Sequence, residues 1–247
     1  METNRPYISY SQYALFNSSP KAYYEKYVLE KESKGTKYQQ FGKKLMEDLE
    51  FLEKIPKSLR EVLKYGIVEF ELTTQSKHID KDLFGIIDVI SDNKNHFIEI
   101  KSGKKPWTKS EVAKNEQMLF YALMINLKYK IIPRATLVYV ETEDTEDGGI
   151  RYTGNIERFN RVFTLEELVD FGKKIQLTVK EIEAYQHSIV EVEVDRDAKL
   201  LELLAEKARI DSELDLLKAE IMLDIKEFDN KYAQSENFNI TLASRKT

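Results

Sequence analysis

Three charged residues lie within or beside two short apolar runs of the chain: Asp88 in "GIIDVI", and Glu99 and Lys101 in "FIEIK". A charge in such a run costs free energy unless it is paired or binds a metal ion. Because successive side chains of a strand point to opposite faces, Glu99 and Lys101 project to the same side. A hairpin partner can bring Asp88 to that surface, and two converging carboxylates form a hard oxygen site suited to Mg²⁺ or Mn²⁺.

A lysine beside such a site has a role in hydrolysis. Lys101 can hold a water near its deprotonated state, or stabilise the charge that grows on a phosphate. A metal ion at Asp88 and Glu99 would polarise the phosphate and lower the pKa of the attacking water. The three residues therefore predict hydrolysis of a phosphodiester bond, with Asp88, Glu99 and Lys101 as catalytic residues.

The elements that must position these residues are predicted to be strands. Three β-rich runs occupy residues 67–101: "IVEFEL", "LFGIIDVIS" and "HFIEIK". The last two are separated by the turn sequence "DNKN", which predicts an antiparallel hairpin. A tight turn over residues 92–95 leaves Asp88 and Glu99 near the same end of the sheet.

Helices are predicted on both sides of this region. Upstream, "SPKAYYEKYVLEKE" begins with the capping pair Ser19 and Pro20, and "QQFGKKLMEDLEFLEKI" is amphipathic. Downstream, we predict a helix over "SEVAKNEQMLFYALMINLKY" with Ser110 as its N-cap, and a strand at "ATLVYVET". The segment "EDTEDGGIRYTG" is then a surface loop or a hairpin tip, and a further helix follows with Thr164 as its N-cap.

A long amphipathic helix is predicted from Asp195 to about Lys231. Its apolar residues recur at mixed steps of three and four, a pattern that resembles a coiled-coil seam. The helix either packs on its own domain or forms an oligomer or partner interface. The economical architecture is an α+β (α/β) domain over residues 1–194, followed by a helical extension and tail over residues 195–247.

Composition excludes several classes of chemistry. The 247 residues include no cysteine, which removes disulfides, thiolate zinc sites and iron–sulfur clusters and fits a reducing compartment, with the cytoplasm as the expected location. No glycine-rich phosphate loop of the Walker type is present, so we expect no ATP hydrolysis. The chain has neither a secretion signal nor an apolar run of membrane length, so a soluble protein is expected.

The net charge of −5 means that any binding of nucleic acid must rely on a local basic surface. The segment "KSGKKPWTK" supplies Lys104 and Lys105 with Trp107 beside them. It is either an ordinary solvated loop or a contact for a phosphate backbone and an unpaired base. Ser102 and the following glycine would let the backbone approach a ligand closely.

Taken in order, "GIID", "EIK" with "SGKK", and "QMLFY" resemble the signature of the RecB-like branch of the PD-(D/E)XK nuclease superfamily. The resemblance implies a restriction-endonuclease-like core with a central mixed β-sheet flanked by helices. It makes Asp88 and Glu99 metal ligands, with the Ile100 carbonyl as a further ligand, and Lys101 the catalytic lysine. Other residues are implied in supporting the site or contacting DNA: Gln117, Tyr121, Ser102, Lys104, Lys105 and Trp107.

The resemblance extends upstream, where "ISYSQYALFNSSPKAYYEKY" is similar to the family's Ser-x-Ser and Pro-x-x-Tyr region. In "FGKKLMEDLE", the family's metal-binding histidine is replaced by Met46, which is too soft a ligand for Mg²⁺. Either Glu47 or Glu50 then reaches the metal, or a second metal position is weakened. Some relatives carry an iron–sulfur cluster here, which this cysteine-free chain cannot ligate.

The expected function is a Mg²⁺- or Mn²⁺-dependent DNA nuclease, most similar to phage-type exonucleases of the YqaJ and lambda exonuclease group that act in recombination or repair. The resemblance implies DNA as substrate, a homo-oligomer, and a single-strand annealing recombination protein as a candidate partner. The alternative is a catalytically weak protein of the same fold that binds DNA or a recombination partner without cutting. A third interpretation is a structural protein whose C-terminal helix is the functional surface.

Overall fold

The computed structural model describes residues 5–31, 35–37, 40–42, 57–191 and 198–227. The chain divides into two units, Met1–Ile182 and Glu183–Thr247. The first unit holds the sheet and every residue of the hairpin that the sequence singles out. The division into residues 1–194 and 195–247 stays a prediction.

The described strands form one mixed sheet: β1 Tyr7–Ser9, β2 Ile67–Ser76, β3 Ile79–Ile90, β4 His96–Gly103, β5 Arg134–Asp144 and β6 Ile150–Val162. The strand order is β1-β3-β4-β5-β6, and β2 also pairs with β3. The β1–β3 and β4–β5 pairs are parallel, whereas the β2–β3, β3–β4 and β5–β6 pairs are antiparallel. The predicted central mixed sheet is confirmed.

The helices within the described ranges are α1 Tyr10–Ser18, α2 Pro20–Tyr27, α3 Lys57–Leu63, α4 Lys109–Ala113, α5 Glu116–Tyr129, α6 Leu165–Glu191 and α7 Ala198–Glu227. One face of the sheet is covered by α3, where Leu59 and Val62 belong to a buried apolar cluster with Ile98, Ile100 and Val138. Burial of these aliphatic side chains stabilises the α3 side of the core.

The opposite face of the sheet carries α1, α5 and the part of α6 that ends at Ile182. The Phe97 ring of β4 contacts the Tyr121 ring of α5 edge to face, with 6.1 Å between centroids. The Tyr13 ring of α1 and the Phe171 ring of α6 make a similar contact at 5.4 Å. Since Phe97 and Glu99 are two apart on one strand, this aromatic layer and Glu99 share a face. The sheet is therefore flanked by helices on both sides, as expected.

The predicted hairpin between β3 and β4 is present. Val89 pairs with Ile98 and Ile90 with Phe97, and the Ser91 amide donates to the His96 carbonyl at 2.9 Å where the turn closes. The strands run antiparallel through only these two register pairs. That short ladder places Asp88 and Glu99 directly beyond its open end.

The upstream helices are partly as predicted. Ser19 is the N-cap of α2, and its side chain accepts the Ala22 amide at 3.2 Å. The short strand β1 was not predicted. It ends at Ser9, whose side chain and backbone form a reciprocal capping box with Gln12 at the start of α1. Most of "QQFGKKLMEDLEFLEKI" lies outside the described residues.

The single helix predicted to begin at Ser110 is wrong, because the segment forms two helices with different caps. Thr108 caps α4 in a reciprocal box with Glu111, so Ser110 lies inside the first turn. The Asn115 side chain then accepts the Met118 amide at 2.9 Å and starts α5. Two good N-caps seven residues apart therefore divide the segment.

The strand predicted at "ATLVYVET" is β5, and the glycine-containing segment after it is a hairpin tip. Asp144 pairs with Ile150 across that tip, and the "IRYTG" part of the segment already belongs to β6. Thr164 caps α6 as predicted, since its hydroxyl accepts the Glu167 amide at 3.1 Å.

The long C-terminal helix is described as α7 over 30 residues, from Ala198 to Glu227. Three residues of its apolar seam are about half exposed: Ile210 at 53%, Leu214 at 48% and Leu217 at 54%. Packing of the seam on its own domain and its use as an oligomer or partner interface both stay predictions. The tail lies outside the described residues. None of the described helices is long and apolar enough to cross a membrane.

Candidate active site

The candidate site lies where one edge of β3 passes from one partner strand to another. β2 pairs along almost all of β3, so β1 and β4 share the other edge. On that edge β1 pairs with residues 82–84 and β4 with residues 89–90. Among the described strands, residues 85–88 therefore have no partner there, and the sheet forks at Asp88.

Asp88 binds the backbone across this fork. Its Oδ2 accepts a hydrogen bond from the Ile100 amide at 2.6 Å, in place of a ladder bond between the two strands. The Oδ2 atom thus ties Asp88 to β4 at the fork. The other carboxylate oxygen, Oδ1, takes no part in this hydrogen bond. This bond fixes the orientation of the carboxylate relative to β4.

Glu99 is the most buried charged residue of the site, with 1% of its surface exposed. Its Oε1 lies 2.6 Å from the Lys101 ammonium. Its Oε2 is buried and has no hydrogen-bond partner among the described residues. An oxygen of this kind carries a desolvation penalty that a bound cation would offset.

Lys101 is held from two sides. Besides the ion pair with Glu99, its ammonium donates to Gln117 Oε1 at 2.7 Å, and Gln117 Nε2 donates to the Tyr121 hydroxyl at 3.1 Å. Gln117 and Tyr121 are four apart on α5 and share a helical face. An ammonium has three N–H donors, so one remains for a ligand after these two contacts. The structure therefore brings together five of the predicted site residues: Asp88, Glu99, Lys101, Gln117 and Tyr121.

Gly85, in the "GIID" motif, lets α5 approach the fork. A Cβ at this position would lie 2.7 Å from Tyr121 Cε1 and 3.3 Å from the Met124 sulfur. Any larger residue would displace the Tyr121 ring, since real Cβ atoms do not approach ring carbons that closely. The glycine thus sets the position of the hydroxyl that supports Gln117.

The charges and burial at the site shift the pKa values of Asp88 and Lys101 and thereby indicate different roles for them. Burial and the charge of Glu99 raise the pKa of Asp88 well above its ordinary value, against the smaller effects of the Ile100 amide and Lys101. Burial alone lowers the pKa of Lys101, but the charge and hydrogen bond of Glu99 outweigh it, so this pKa is raised. Lys101 is therefore a cation at neutral pH, and a dication at the site would favour ionised Asp88.

The other predicted residues are distributed on different sides of β4 and its following loop. Ser102 points to the face opposite Lys101, and its Oγ is 3.5 Å from the place where a Gly42 Cβ would lie. Lys104 forms an ion pair with Asp144 of β5. Lys105 and Trp107 line a neighbouring cleft. Neighbours in the basic segment thus have different surroundings.

Two predicted metal ligands and the residue that motivated them lie outside the described residues: Glu47, Glu50 and Met46. Within the described ranges, no group of three or more His, Asp or Glu side chains is placed to hold a metal ion. The described site offers two carboxylates, with the Ile100 carbonyl next to Glu99 in the chain. Such an all-oxygen set suits Mg²⁺, which completes its shell with water and phosphate oxygens.

Sequence reasoning missed one residue that shapes the site. Arg161 of β6 is 6% exposed and donates from Nη1 to the Val112 carbonyl at 3.2 Å and the Asn115 carbonyl at 2.6 Å. Its guanidinium also lies 4.8 Å from the centroid of the Phe163 ring. These bonds hold the junction of α4 and α5, two residues before Gln117. Alternation along β6 could have placed Arg161 on the face of the sheet that carries α5, but no sequence signal identifies the carbonyl groups that it binds.

Replacing Arg161 by lysine is expected to lower the free energy of unfolding by about 1–2 kcal/mol, because the shorter lysine loses the planar guanidinium that contacts the Phe163 ring and does not place its nitrogen where Nη1 meets the two carbonyls. Denaturant unfolding of the variant measures this difference. Arg158→Lys, an exposed change on the same strand, is the matched control and should stay within about 0.5 kcal/mol of wild type. Equal stability of the Arg161→Lys chain and wild type would show that the junction does not depend on the guanidinium.

A mixed sheet that gathers a strand aspartate and a Glu-x-Lys pair at a fork, with a supporting Gln and Tyr from the next helix, defines a restriction-endonuclease-like nuclease core. The chain belongs to the PD-(D/E)XK nuclease superfamily, whose family model matches residues 37–215. The recognition made from the motifs is therefore confirmed at the level of the superfamily.

The solved structures that are similar to the chain include two exonucleases. A proposed exonuclease from Eubacterium rectale matches with 12% identity and a TM-score of 0.48, covering 77% of this chain and 84% of its own. A phage-related exonuclease from Haemophilus somnus 129PT matches with 15% identity and a TM-score of 0.44, covering 74% of this chain and 82% of its own. No curated protein sequence gives a significant match.

Proposed function

We propose that this chain is a Mg²⁺- or Mn²⁺-dependent deoxyribonuclease that hydrolyses phosphodiester bonds at the site around Asp88, Glu99 and Lys101. The observation that carries the proposal is Glu99 Oε2, a buried carboxylate oxygen without a hydrogen-bond partner among the described residues. Leaving such an oxygen unpaired is costly, and a dication beside it would offset that cost. Membership of a nuclease superfamily supports the same reading.

The proposed ligands are Glu99 Oε2, the Asp88 oxygen that does not bind the Ile100 amide, and the Ile100 carbonyl. All are hard oxygen donors, as Mg²⁺ and Mn²⁺ prefer. A bound dication polarises the phosphate and lowers the pKa of a coordinated water. Glu47 or Glu50 is proposed as an additional ligand.

Lys101 is the proposed catalytic lysine. Glu99 and Gln117 occupy two of its three N–H donors and hold the ammonium in place. The third donor can orient the attacking water or bind a phosphate oxygen, and the positive charge stabilises the negative charge that grows there. Tyr121 acts through Gln117 and is a positioning residue.

The finer assignments rest on the motifs and on superfamily membership. We propose an exonuclease that acts in phage-type DNA recombination or repair in the cytoplasm, with a nuclease domain over residues 1–194. Its C-terminal extension over residues 195–247 would serve self-assembly or binding of a partner such as a single-strand annealing protein. The half-exposed seam of α7 supports such a contact.

Calorimetric titration with Mn²⁺ tests the proposal together with DNA hydrolysis. Asp88→Asn is expected to weaken Mn²⁺ binding by about 10- to 100-fold and to abolish cleavage of linear duplex and single-stranded DNA, because it removes an anionic ligand. Glu99→Gln should behave alike. Asparagine keeps an acceptor for the Ile100 amide, so the fold is expected to persist.

Asp92→Asn is the matched control, since it makes the same chemical change at an exposed residue of the hairpin turn. Its metal binding and cleavage should equal those of wild type. Metal binding without cleavage of either DNA form would favour the alternative of a protein that binds DNA without cutting. If wild type neither binds Mn²⁺ nor cleaves DNA, the nuclease assignment fails.

A further inference from the structure

A cleft of about 460 Å³ lies beside the candidate active site. Its walls come from the loop after β4, from α4, and from the first residues of α1 and α5. The residues that matter for its chemistry are Tyr10, Lys105, Trp107, Lys114 and Glu116. The volume falls within the range of small-molecule and cofactor pockets, about 300–1,000 Å³. We call it the Trp107 cleft.

The Trp107 cleft borders the carboxylates and the lysine of the site. Glu116, in its wall, directly precedes Gln117, which binds Lys101. Tyr10, which also lines the cleft, lies close enough to Glu116, Lys101 and Glu99 for their charges to act on its hydroxyl. A strand whose phosphate lies at Lys101 therefore has an adjoining nucleotide within reach of this cleft.

The acids of the cleft are already engaged. Glu116 accepts hydrogen bonds from the Tyr13 hydroxyl at 3.3 Å and from the Lys174 ammonium at 3.4 Å. Glu111 closes the α4 capping box by accepting from the Thr108 amide at 2.7 Å. These bonds fix both carboxylates in place, and the Lys174 ammonium partly neutralises Glu116, so an anion in the cleft would bind beside Lys105 and Lys114.

The cations and the large ring of the cleft are available. Lys105 and Lys114 are exposed, and their ammonium groups form no ion pair or hydrogen bond with other described residues, although the charge of Lys105 acts on Glu111. Trp107 is half-buried, and within the described ranges no aromatic ring stacks on it. A flat ring next to two uncommitted ammonium groups is the combination that binds a base and its phosphate in single-stranded nucleic acid.

We propose that the Trp107 cleft binds one unpaired nucleotide of the DNA strand, with its base stacked on Trp107 and its phosphate between Lys105 and Lys114. This inference rests on the proposed function and specifies its substrate as DNA that is single-stranded next to the cleaved bond. Stacking does not depend on the identity of the base, so binding should tolerate any sequence.

Trp107 is the only tryptophan of the chain, so tryptophan fluorescence, excited selectively over that of the 14 tyrosines, reports on this cleft alone. In EDTA, where the proposed hydrolysis is prevented, titration with an oligothymidylate of eight nucleotides should quench the Trp107 emission. The anisotropy of the same labelled oligonucleotide should rise with the same dissociation constant. Trp107→Ala should weaken the binding by about five- to a hundredfold, the effect of losing one base stack.

Three further variants separate stacking, charge and non-specific effects. Trp107→Phe keeps a ring and should recover most of the affinity. Lys105→Ala with Lys114→Ala should lower the slope of log affinity against log salt by about 0.7, the effect of losing the one phosphate contact that the two lysines share. Tyr65→Ala removes an aromatic residue that is 66% exposed elsewhere and should leave affinity unchanged.

Oligonucleotide binding without a change in Trp107 emission, and with equal affinity in Trp107→Ala, would overturn the inference while leaving DNA binding intact. Equal affinity for free thymidine monophosphate would also overturn it, since the site would then bind a nucleotide rather than a strand. Metal-dependent cleavage of duplex DNA without any binding of single strands would refute nucleotide binding in the cleft but support the proposed nuclease activity. Quenching of the Trp107 emission by the oligonucleotide, with no DNA cleavage in Mn²⁺, would refute the proposed nuclease activity but support nucleotide binding in the cleft.

Discussion

Lys101→Met is expected to lower the turnover of DNA hydrolysis by about 10²- to 10⁴-fold, the range for loss of a positioned acid–base group. The substitution removes the ammonium that lies 2.6 Å from Glu99 Oε1 and 2.7 Å from Gln117 Oε1. Methionine has a similar length and fills the space of the alkyl chain. The substitution should therefore slow the chemical step and remove one positive charge from the site.

Metal binding distinguishes this variant from the loss of a ligand. Lys101 places a positive charge beside the carboxylates, so removing it should leave Mn²⁺ affinity unchanged or make it tighter. Asp88→Asn should weaken the same affinity. Calorimetry combined with single-turnover cleavage measures both quantities on each protein.

The control for Lys101→Met is Lys64→Met, because Lys64 lies just after α3 and its ammonium pairs only with the exposed Glu61 among the described residues. This control should retain wild-type turnover. If Lys101→Met also retained turnover, the lysine would have no part in the reaction. If it lost Mn²⁺ binding together with turnover, its role would be structural.

Gly85→Val is expected to lower the free energy of unfolding by about 1–3 kcal/mol and to slow DNA cleavage at least about tenfold. The new Cβ would meet Tyr121 Cε1 at 2.7 Å, and the ring is 6% exposed with little room to move. Displacing Tyr121 would remove the partner of Gln117 and loosen Lys101. Thermal or denaturant unfolding and single-turnover cleavage measure the two effects.

A second substitution separates packing from catalysis. Tyr121→Leu in the Gly85→Val background should restore part of the stability by relieving the overlap, but it should not restore cleavage, since the hydroxyl is gone. Gly172→Ala is the control, because its Cβ would lie 3.7 Å from Leu123 Cδ2, an ordinary contact, and alanine favours a helix. Unchanged stability and cleavage in Gly85→Val would contradict the proposed packing of the ring on the strand.

The features that could be predicted from the sequence are those decided by nearby residues. The β3–β4 hairpin follows from two β-rich runs and a turn, and the capping roles of Ser19 and Thr164 follow from residue types at helix starts. The pairing of Gln117 with Tyr121 follows from their spacing of four. Their expected role in supporting the site came only from the family resemblance, and the bond from Lys101 to Gln117 is visible only in the structure.

The features that were missed depend on residues distant in the chain. The strand β1 has three residues, too few for a periodic pattern, and its partner is residues 82–84 of β3. The break between α4 and α5 contains no Gly or Pro, and it is held by Arg161, which lies 46 residues after Asn115. Lys104 and Lys105 are neighbours in sequence, yet only the position of Asp144 on β5 separates their surroundings. Such contacts follow from the tertiary fold and leave no local signature.

The fork in β3 also determines the order in which the site can assemble. The β3–β4 hairpin is local and can form as soon as residue 98 is available, whereas β1 must join β3 across the interval from Tyr7 to Asp82. Pairings between distant segments form slowly because chain closure precedes their stabilisation. Asp88 and Glu99 can therefore meet early in folding, but Tyr10 reaches its place beside them only after the long-range pairing. Maturation of the catalytic pocket is thus tied to the slowest contact of the sheet, and a partly folded chain is expected to lack cleavage activity.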